Sequence, residues 1–356
     1  MSNPKIAGVG AAILAAGLFG ASTPFSKLLL SNVSPILLAG LLYLGSGCGL
    51  SLLFVIRRAR GSGPAEMPLL RKDAPWLAGA IVSGAIVGAL LLLFGLRLTP
   101  ASTASLLLNM EGVFTATLAW LVFRENADRR VVLGMVFILC GGLLLSWQGG
   151  TEAAPLLGVL LILAACLCWG IDNNLTQKVS ASDPFQVAAI KGLVAGTFNT
   201  VLGLVLGNRM PGIGVILGAV FIGFIGYGLS VALFVLALRN IGTSRTGAYF
   251  AIAPFVGGLL SVIVLGEPLS RALLIAGALM GIGVWLHLTE RHGHPHQHQV
   301  LEHAHRHIHD EHHQHDHAPG TNLDQPHMHA HSHLPETHLH AHFPDIHHRH
   351  VHVLEQ

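Results

Sequence analysis

Several ionisable and amide side chains stand inside stretches that are otherwise apolar, and these are where chemistry is to be sought. Glu111 lies near the middle of one such stretch, with Asn109 two residues before it. An ionisable group at membrane depth costs a few kcal/mol, so its presence calls for a reason. Ten residues in from the nearer end of its stretch, Glu111 would lie about 15 Å deep. A carboxyl there suits a proton-coupling group or a ligand for an amine or cation. The plainer alternative is a hydrogen bond to a neighbouring helix.

Asp172-Asn173-Asn174 and Lys191 occupy two successive apolar stretches. Each charge lies about 9–10 Å from the same end of its helix, so antiparallel neighbours can bring them into an ion pair. That pair would act as a gate, a substrate anchor or a simple fastener. Pro24 and Pro254 also fall inside apolar stretches. Proline removes a helical hydrogen bond, kinks the helix and frees carbonyls that can line a cavity. Lys27, close to the end of its stretch, is read as snorkelling to the boundary.

A second concentration of chemistry is histidine. Of 24 histidines, all but His287 follow residue 290. His303, His305, His307 and His309 alternate with other residues, as do His327, His329, His331 and His333. Between them come His312, His313, His315 and His317. Neutral imidazole suits zinc, nickel, copper and cobalt. Closely spaced imidazoles can wrap such an ion without a preformed site. The spacing lacks the separated pairs of a zinc finger, and no His-Glu-x-x-His occurs. Low complexity builds no packed core, so residues 291–356 are expected to be disordered.

The elements that carry these groups follow from composition. Apolar types make up 52% of the 356 residues and charged types 11%, against roughly 25% in soluble domains. Apolar runs near 6–30, 35–56, 75–97, 101–123, 131–147, 156–177, 185–206, 213–238, 243–265 and 271–289 are long enough to span a bilayer, which takes about 20 residues. They are too long and too evenly apolar for barrel strands. The fold class is therefore an all-α membrane protein of ten transmembrane helices with a polar tail. The first run is read as a retained helix rather than a signal peptide.

Lys and Arg set the orientation. With the N-terminus inside, Lys5, Arg57, Arg58, Arg60, Arg71, Lys72, Arg124, Arg129, Arg130, Lys178, Arg239 and Arg245 are cytoplasmic. Only Arg97, Arg209 and Arg271 then lie outside. Ten crossings return the tail to the cytoplasm of a bacterial-type inner membrane. Cys48, Cys140, Cys166 and Cys168 all sit in apolar runs, where disulfides and structural zinc sites are not expected.

The chain repeats itself. Arg97 precedes Glu125 by 28 residues, and Arg239 precedes Glu267 by the same interval. Arg129 and Arg271 each follow four residues after those glutamates. Phe19-Gly20 in the first run matches Trp169-Gly170 in the sixth. Five helices repeated must re-enter the membrane from the opposite side, an inverted repeat of the kind found in secondary transporters. The two units are 6–148 and 156–289.

These residues, together with Ala253-Pro254 and Gly266-Glu267-Pro268, resemble the drug/metabolite transporter superfamily, specifically proteins with two EamA domains. The resemblance covers about 8–147 and 157–288. The first half departs from the pattern, with Glu111-Gly112 where the second has Ala253-Pro254. The resemblance implies fold and transport, not a solute.

The leading expectation is a gradient-driven carrier, an exporter, of a small metabolite or related organic solute, with a metal-binding tail. The alternatives are a nickel, cobalt or zinc exporter fed by the tail, and a membrane-anchored metal store or sensor. Under the metal-exporter reading, Glu111, Asn109 and Asp172 are pathway ligands. No nucleotide loop or enzyme signature occurs, no cofactor is required, and nothing points to nucleic acid. The partners are solute, lipid and tail-bound Ni, Co, Zn or Cu; a homodimer is compatible with the sequence.

Overall fold

The structure, a computed structural model, describes residues 4–59, 69, 71–123, 129–146, 156–179, 183–241, 243–289, 293–297, 301–307, 327–333 and 337–341. The body is helical. Crossings one and two are α1 (Pro4–Leu29) and α2 (Pro35–Ala59). The third is α3 (Ala74–Ala80), a π-helical segment (Ile81–Gly88) and α4 (Ala89–Leu98). The fourth is α5 (Ala101–Leu107) and α6 (Met110–Phe123), and the fifth is α7 (Arg129–Ser146). The sixth and seventh are α8 (Leu156–Gln177) and α9 (Pro184–Val205). The eighth is α10 (Ile213–Ile222), a second π-helical segment (Gly223–Leu229) and α11 (Ser230–Ile241). The ninth is α12 (Thr243–Phe250) and α13 (Ala253–Leu265), and the tenth is α14 (Arg271–Leu288). Among the described residues, eight helical stretches are long and apolar enough to cross a membrane, with α13 and α14 shorter.

Helix is the form that satisfies every backbone group within one segment, which lipid requires. The ends carry local signals. Asp183 caps α9 by accepting from the Phe185 amide at 2.8 Å, with Pro184 at the first helical position. Ser270 caps α14 through the Leu273 amide at 3.1 Å. Gly266 ends α13 at φ +66°, the left-handed cap that favours glycine.

The repeat extends to the irregularities. The π segments of crossings three and eight begin at Ile81 and Gly223, 142 residues apart, the interval that separates Arg97 from Arg239. Crossings four and nine both break near mid-span, at Leu108–Asn109 and at Ala251–Ile252. Pro254 explains the second break, since it offers no N–H to Phe250. In the first, the Leu106 carbonyl accepts both the Asn109 side-chain amide at 2.9 Å and the Asn109 backbone N–H at 3.1 Å. Pro24 behaves differently: α1 continues through it from Pro4 to Leu29. π turns and broken helices at matching places in two halves mark functional ground in membrane carriers.

Small residues let the helices close up. A Cβ on Gly192 of α9 would meet the Gly47 backbone of α2 at 2.7 Å. Gly84 and Gly88 both abut α8, and Gly203 abuts Leu37. Gly207 instead occupies a turn at φ +81°. The main core joins Leu37, Leu38, Leu93, Leu96, Leu107, Ile138, Ile162 and Met280 from both halves.

In the tail, β1 (Gly293–Gln297) pairs antiparallel with β4 (Thr337–Ala341), and β2 (Leu301–His307) with β3 (His327–His333). These four segments are the described parts of the tail. Alternating sequence has the period of a strand, and backbone pairing needs no packed core. The register sets His303 opposite His331, His305 opposite His329 and His307 opposite His327. His309, His312, His313, His315 and His317 lie outside the described residues.

Candidate functional site: a polar cluster between two unequal seams

Asp172 of α8 and Lys191 of α9 form the ion pair that their depths suggest. The Lys191 Nζ donates to both carboxylate oxygens of Asp172, at 2.5 and 2.7 Å. Thr176, one turn from Asp172, donates to the same carboxylate at 2.8 Å and accepts from Lys191 at 3.3 Å. Asp172 is buried. Gly84, in the π segment of crossing three, makes room for it: a Cβ there would collide with the Asp172 side chain. Both charges are thus paired and multiply hydrogen-bonded, the condition under which ions are tolerated in a dry interior.

Glu111 stands in the first turn of α6, just past the break in crossing four. Its Oε1 accepts from the Asn173 side-chain amide at 2.8 Å, and the same amide donates to Thr115 Oγ1 at 3.2 Å. Asn173 is exposed and Glu111 half-buried, so this contact lies at an open surface. Trp169, on α8, donates its indole N–H to the Gly84 carbonyl at 3.0 Å. Tyr43 and Tyr227 stack at 5.8 Å between centroids, and Phe19 meets Tyr227 edge-on at 5.8 Å. A carboxylate, an amide, hydroxyls and an ion pair beside aromatic rings can receive a polar organic solute and a proton.

Not every residue singled out from the sequence joins the cluster. Asn174 turns the other way, donating to the Gly170 carbonyl at 2.8 Å and the Thr115 carbonyl at 3.2 Å, and ties α8 to α6. Asn109 is buried against Leu106 and Met280 Sδ, at the helix break. Lys27 does not snorkel: its Nζ donates to the carbonyls of Leu96, Arg97 and Thr99 at the end of α4. Thr115 and Thr176 were not singled out, although each follows an acid by four residues on one helix face.

The two motif glycines place crossing one against crossing nine, and crossing six against crossing four. A Cβ on Gly20 would meet the Ala253 carbonyl carbon and the Gly257 amide at 3.1 Å. One on Gly170 would meet Phe114 Cβ and the Thr115 amide at 3.1 Å. Gly257 and Thr115 are equivalents in the repeat, 142 residues apart.

The third member of each seam breaks the symmetry. Ser105 of α5 closes on Gly257, where a Cβ would lie 2.8 Å from its Oγ. Its counterpart 142 residues on is Gly247 of α12, around which a Cβ would meet nothing within 4 Å. Gly112, next to Glu111, is equally open. The seam toward the face where α1 ends is shut; in the seam toward the face where α1 begins, crossings six and four stay in contact through Gly170, Asn173 and Thr115, and the seam is parted at Gly247 of α12.

The EamA-like transporter family matches residues 6–147 and 156–289, which are the two halves of this bundle. The chain belongs to that family. It is 29% identical over 287 residues to an uncharacterized transporter of Methanothermobacter thermautotrophicus, covering 77% of this chain and 84% of that one. It is 25% identical over 247 residues to a probable terminal-alkyne amino-acid exporter of Streptantibioticus cattleyicolor, covering 68% of this chain and 83% of the other. A solved crystal structure aligns with TM-score 0.56 at 20% identity, over 80% of this chain and 96% of its own. At that identity the likeness concerns the fold. The protein is a multi-pass membrane transporter of the EamA family.

Proposed function

We propose that the protein is a gradient-driven secondary transporter that exports a small organic metabolite by alternating access. The observation that carries this reading is the inequality of the two seams. Two equivalent three-helix contacts, Gly20–Ser105–Gly257 and Gly170–Thr115–Gly247, are shut on one face and parted on the other. Exchange of those arrangements would expose a central site to each face in turn. The Lys and Arg bias makes the parted face, which bears the N-terminus, the cytoplasmic one. A solute then enters from the cell and leaves outward.

Glu111 is the coupling or amine-binding carboxylate in this reading, and Asp172–Lys191 anchors or gates the site. Asn173 relays to Glu111, while Asn109, Asn174 and Pro254 shape or tie the helices around it, and Pro24 lies within the unbroken α1. The amino-acid exporter among its relatives supports a solute of that chemical kind. The tail binds divalent Ni, Co, Zn or Cu as an accessory. Its support is the histidine composition and the register that sets histidine opposite histidine. A metal-exporting bundle would need clustered ligands, and among the described residues no three His, Cys, Asp or Glu gather.

The test is growth of a sensitive host expressing the protein across a panel of amino acids and analogues, and across nickel, cobalt, zinc and copper. Protection against an organic solute that is lost in Glu111→Gln and kept after truncation at Glu290 supports the proposal. Protection against a metal alone, lost on truncation, would overturn it.

A further inference from the structure

On the shut face, a short turn, Thr99-Pro100, joins α4 to α5. Such a turn exposes carbonyls at the end of one helix and N–H groups at the start of the next. Near a membrane boundary these need partners. They are supplied from elsewhere in the bundle by two oppositely charged side chains.

Lys27, from α1, donates to the carbonyls of Leu96, Arg97 and Thr99. Glu267, just past the end of α13, accepts from the amides of Ala101 and Ser102 at 2.6 and 2.8 Å. Lys27 thus gathers the last carbonyls before the turn, and Glu267 gathers the first amides after it. The parts joined are crossing one, the turn between crossings three and four, and the end of crossing nine. Crossings one, four and nine also meet at Gly20, Ser105 and Gly257 in the shut seam.

Three hydroxyls lie in these same elements. Ser26 of α1, Thr99 of the turn and Ser105 of α5 are 2%, 1% and 1% exposed, and their oxygens have no hydrogen-bond partner. A hydroxyl buried without a partner is costly, and water would satisfy it. Ser105 borders the shut seam at Gly257, while the Thr99 Oγ1 faces Gly158 of α8.

We propose that Lys27 and Glu267 are gate residues for the transport cycle, which clamp the α4–α5 turn and close an exit path along the shut seam at Ser105. This rests on the alternating-access reading above. Opening the path requires α1 and α13 to release the turn. The charge-assisted hydrogen bonds of Lys27 and Glu267 are therefore made on one side of the cycle only, and they favour the state that is parted at Gly247.

The experiment reads accessibility and needs no knowledge of the solute. Ser105→Cys reports on the shut seam and Gly112→Cys on the parted one. Each is placed in the full chain, alone and with Glu267→Gln or Lys27→Met. A membrane-impermeant maleimide is applied from the face each reporter would open to, and the chain without a reporter supplies the background of the native cysteines. Loss of either clamp is expected to raise labelling at Ser105→Cys about tenfold and to lower it at Gly112→Cys, as a shifted two-state equilibrium demands. Unchanged labelling at Ser105→Cys in both variants overturns the gate. So does a rise at both reporters together, because that marks a loosened bundle. Reciprocal labelling in a protein that moves no organic solute would leave the gate standing and remove the solute reading. Solute export with unresponsive labelling would remove the gate alone.

Discussion

The two halves of the bundle carry the same irregularities at the same interval, yet differ in what they enclose. Where the second half has Asp172 packed on Gly84, the first has Ser22, and a Cβ on its counterpart Gly226 would meet the Ser22 Cβ at 2.8 Å. Where the first half has Glu111-Gly112 at its broken helix, the second has Ala253-Pro254. The backbone plan is shared and the charges are not. The lesson is a division of labour: symmetry supplies two arrangements that can be exchanged, and asymmetric side chains give each seam its own chemistry.

The comparison can be broken most severely at the ion pair. Lys191→Ala leaves the buried Asp172 carboxylate without its cation, and losing one partner of a buried pair costs about 3–5 kcal/mol. Thermal stability in detergent should fall sharply, and Asp172→Asn in the same chain should restore much of it. Additive losses in that double-mutant cycle would mean that the pair is not coupled. Ser22→Ala, at the equivalent place in the first half, should cost far less.

Bulk in the seams is the next lever. Gly257→Leu must displace Ser105 and the Gly20 carbonyl, an overpacking worth about 1–3 kcal/mol. Gly247→Leu, its neighbour in the open seam, should be tolerated in the folded protein. Equal destabilisation of the two variants, measured as melting temperatures, would erase the difference between the seams.

A subtler change concerns function alone. Glu111→Gln keeps the shape and can still accept from Asn173, so expression and melting should match the parent. Transport should fall by about tenfold or more, equivalent to roughly 1.4 kcal/mol. Wild-type transport by this variant removes Glu111 from the mechanism. The smallest effect is expected from ending the chain at Glu290. Metal titration should lose the tail's nickel or zinc binding, while transport by the body stays unchanged.

Much of this was legible in the residues, and the exceptions have a common cause. Depth along a helix follows from counting, so Asp172 and Lys191 could be matched before their contact was seen. The break in crossing nine is signalled by Pro254. The break in crossing four carries no proline, and Asn109 looked like a pathway ligand because an amide in an apolar run has two explanations. Lys27 looked like a snorkelling side chain because its partners, Leu96, Arg97 and Thr99, are 69 to 72 residues away. Glu267 was visible as a motif residue, but not as the acceptor for Ala101 and Ser102, some 165 residues distant.

By itself the amino-acid sequence determined the solvent, the crossings and the inverted repeat. These follow from local apolar length and from the spacing at which residues recur. Only the tertiary structure decided which seam is shut, which amide reaches Glu111 and what Lys27 and Glu267 hold. Those are choices between arrangements with nearly the same local geometry, and contacts between distant helices select among them.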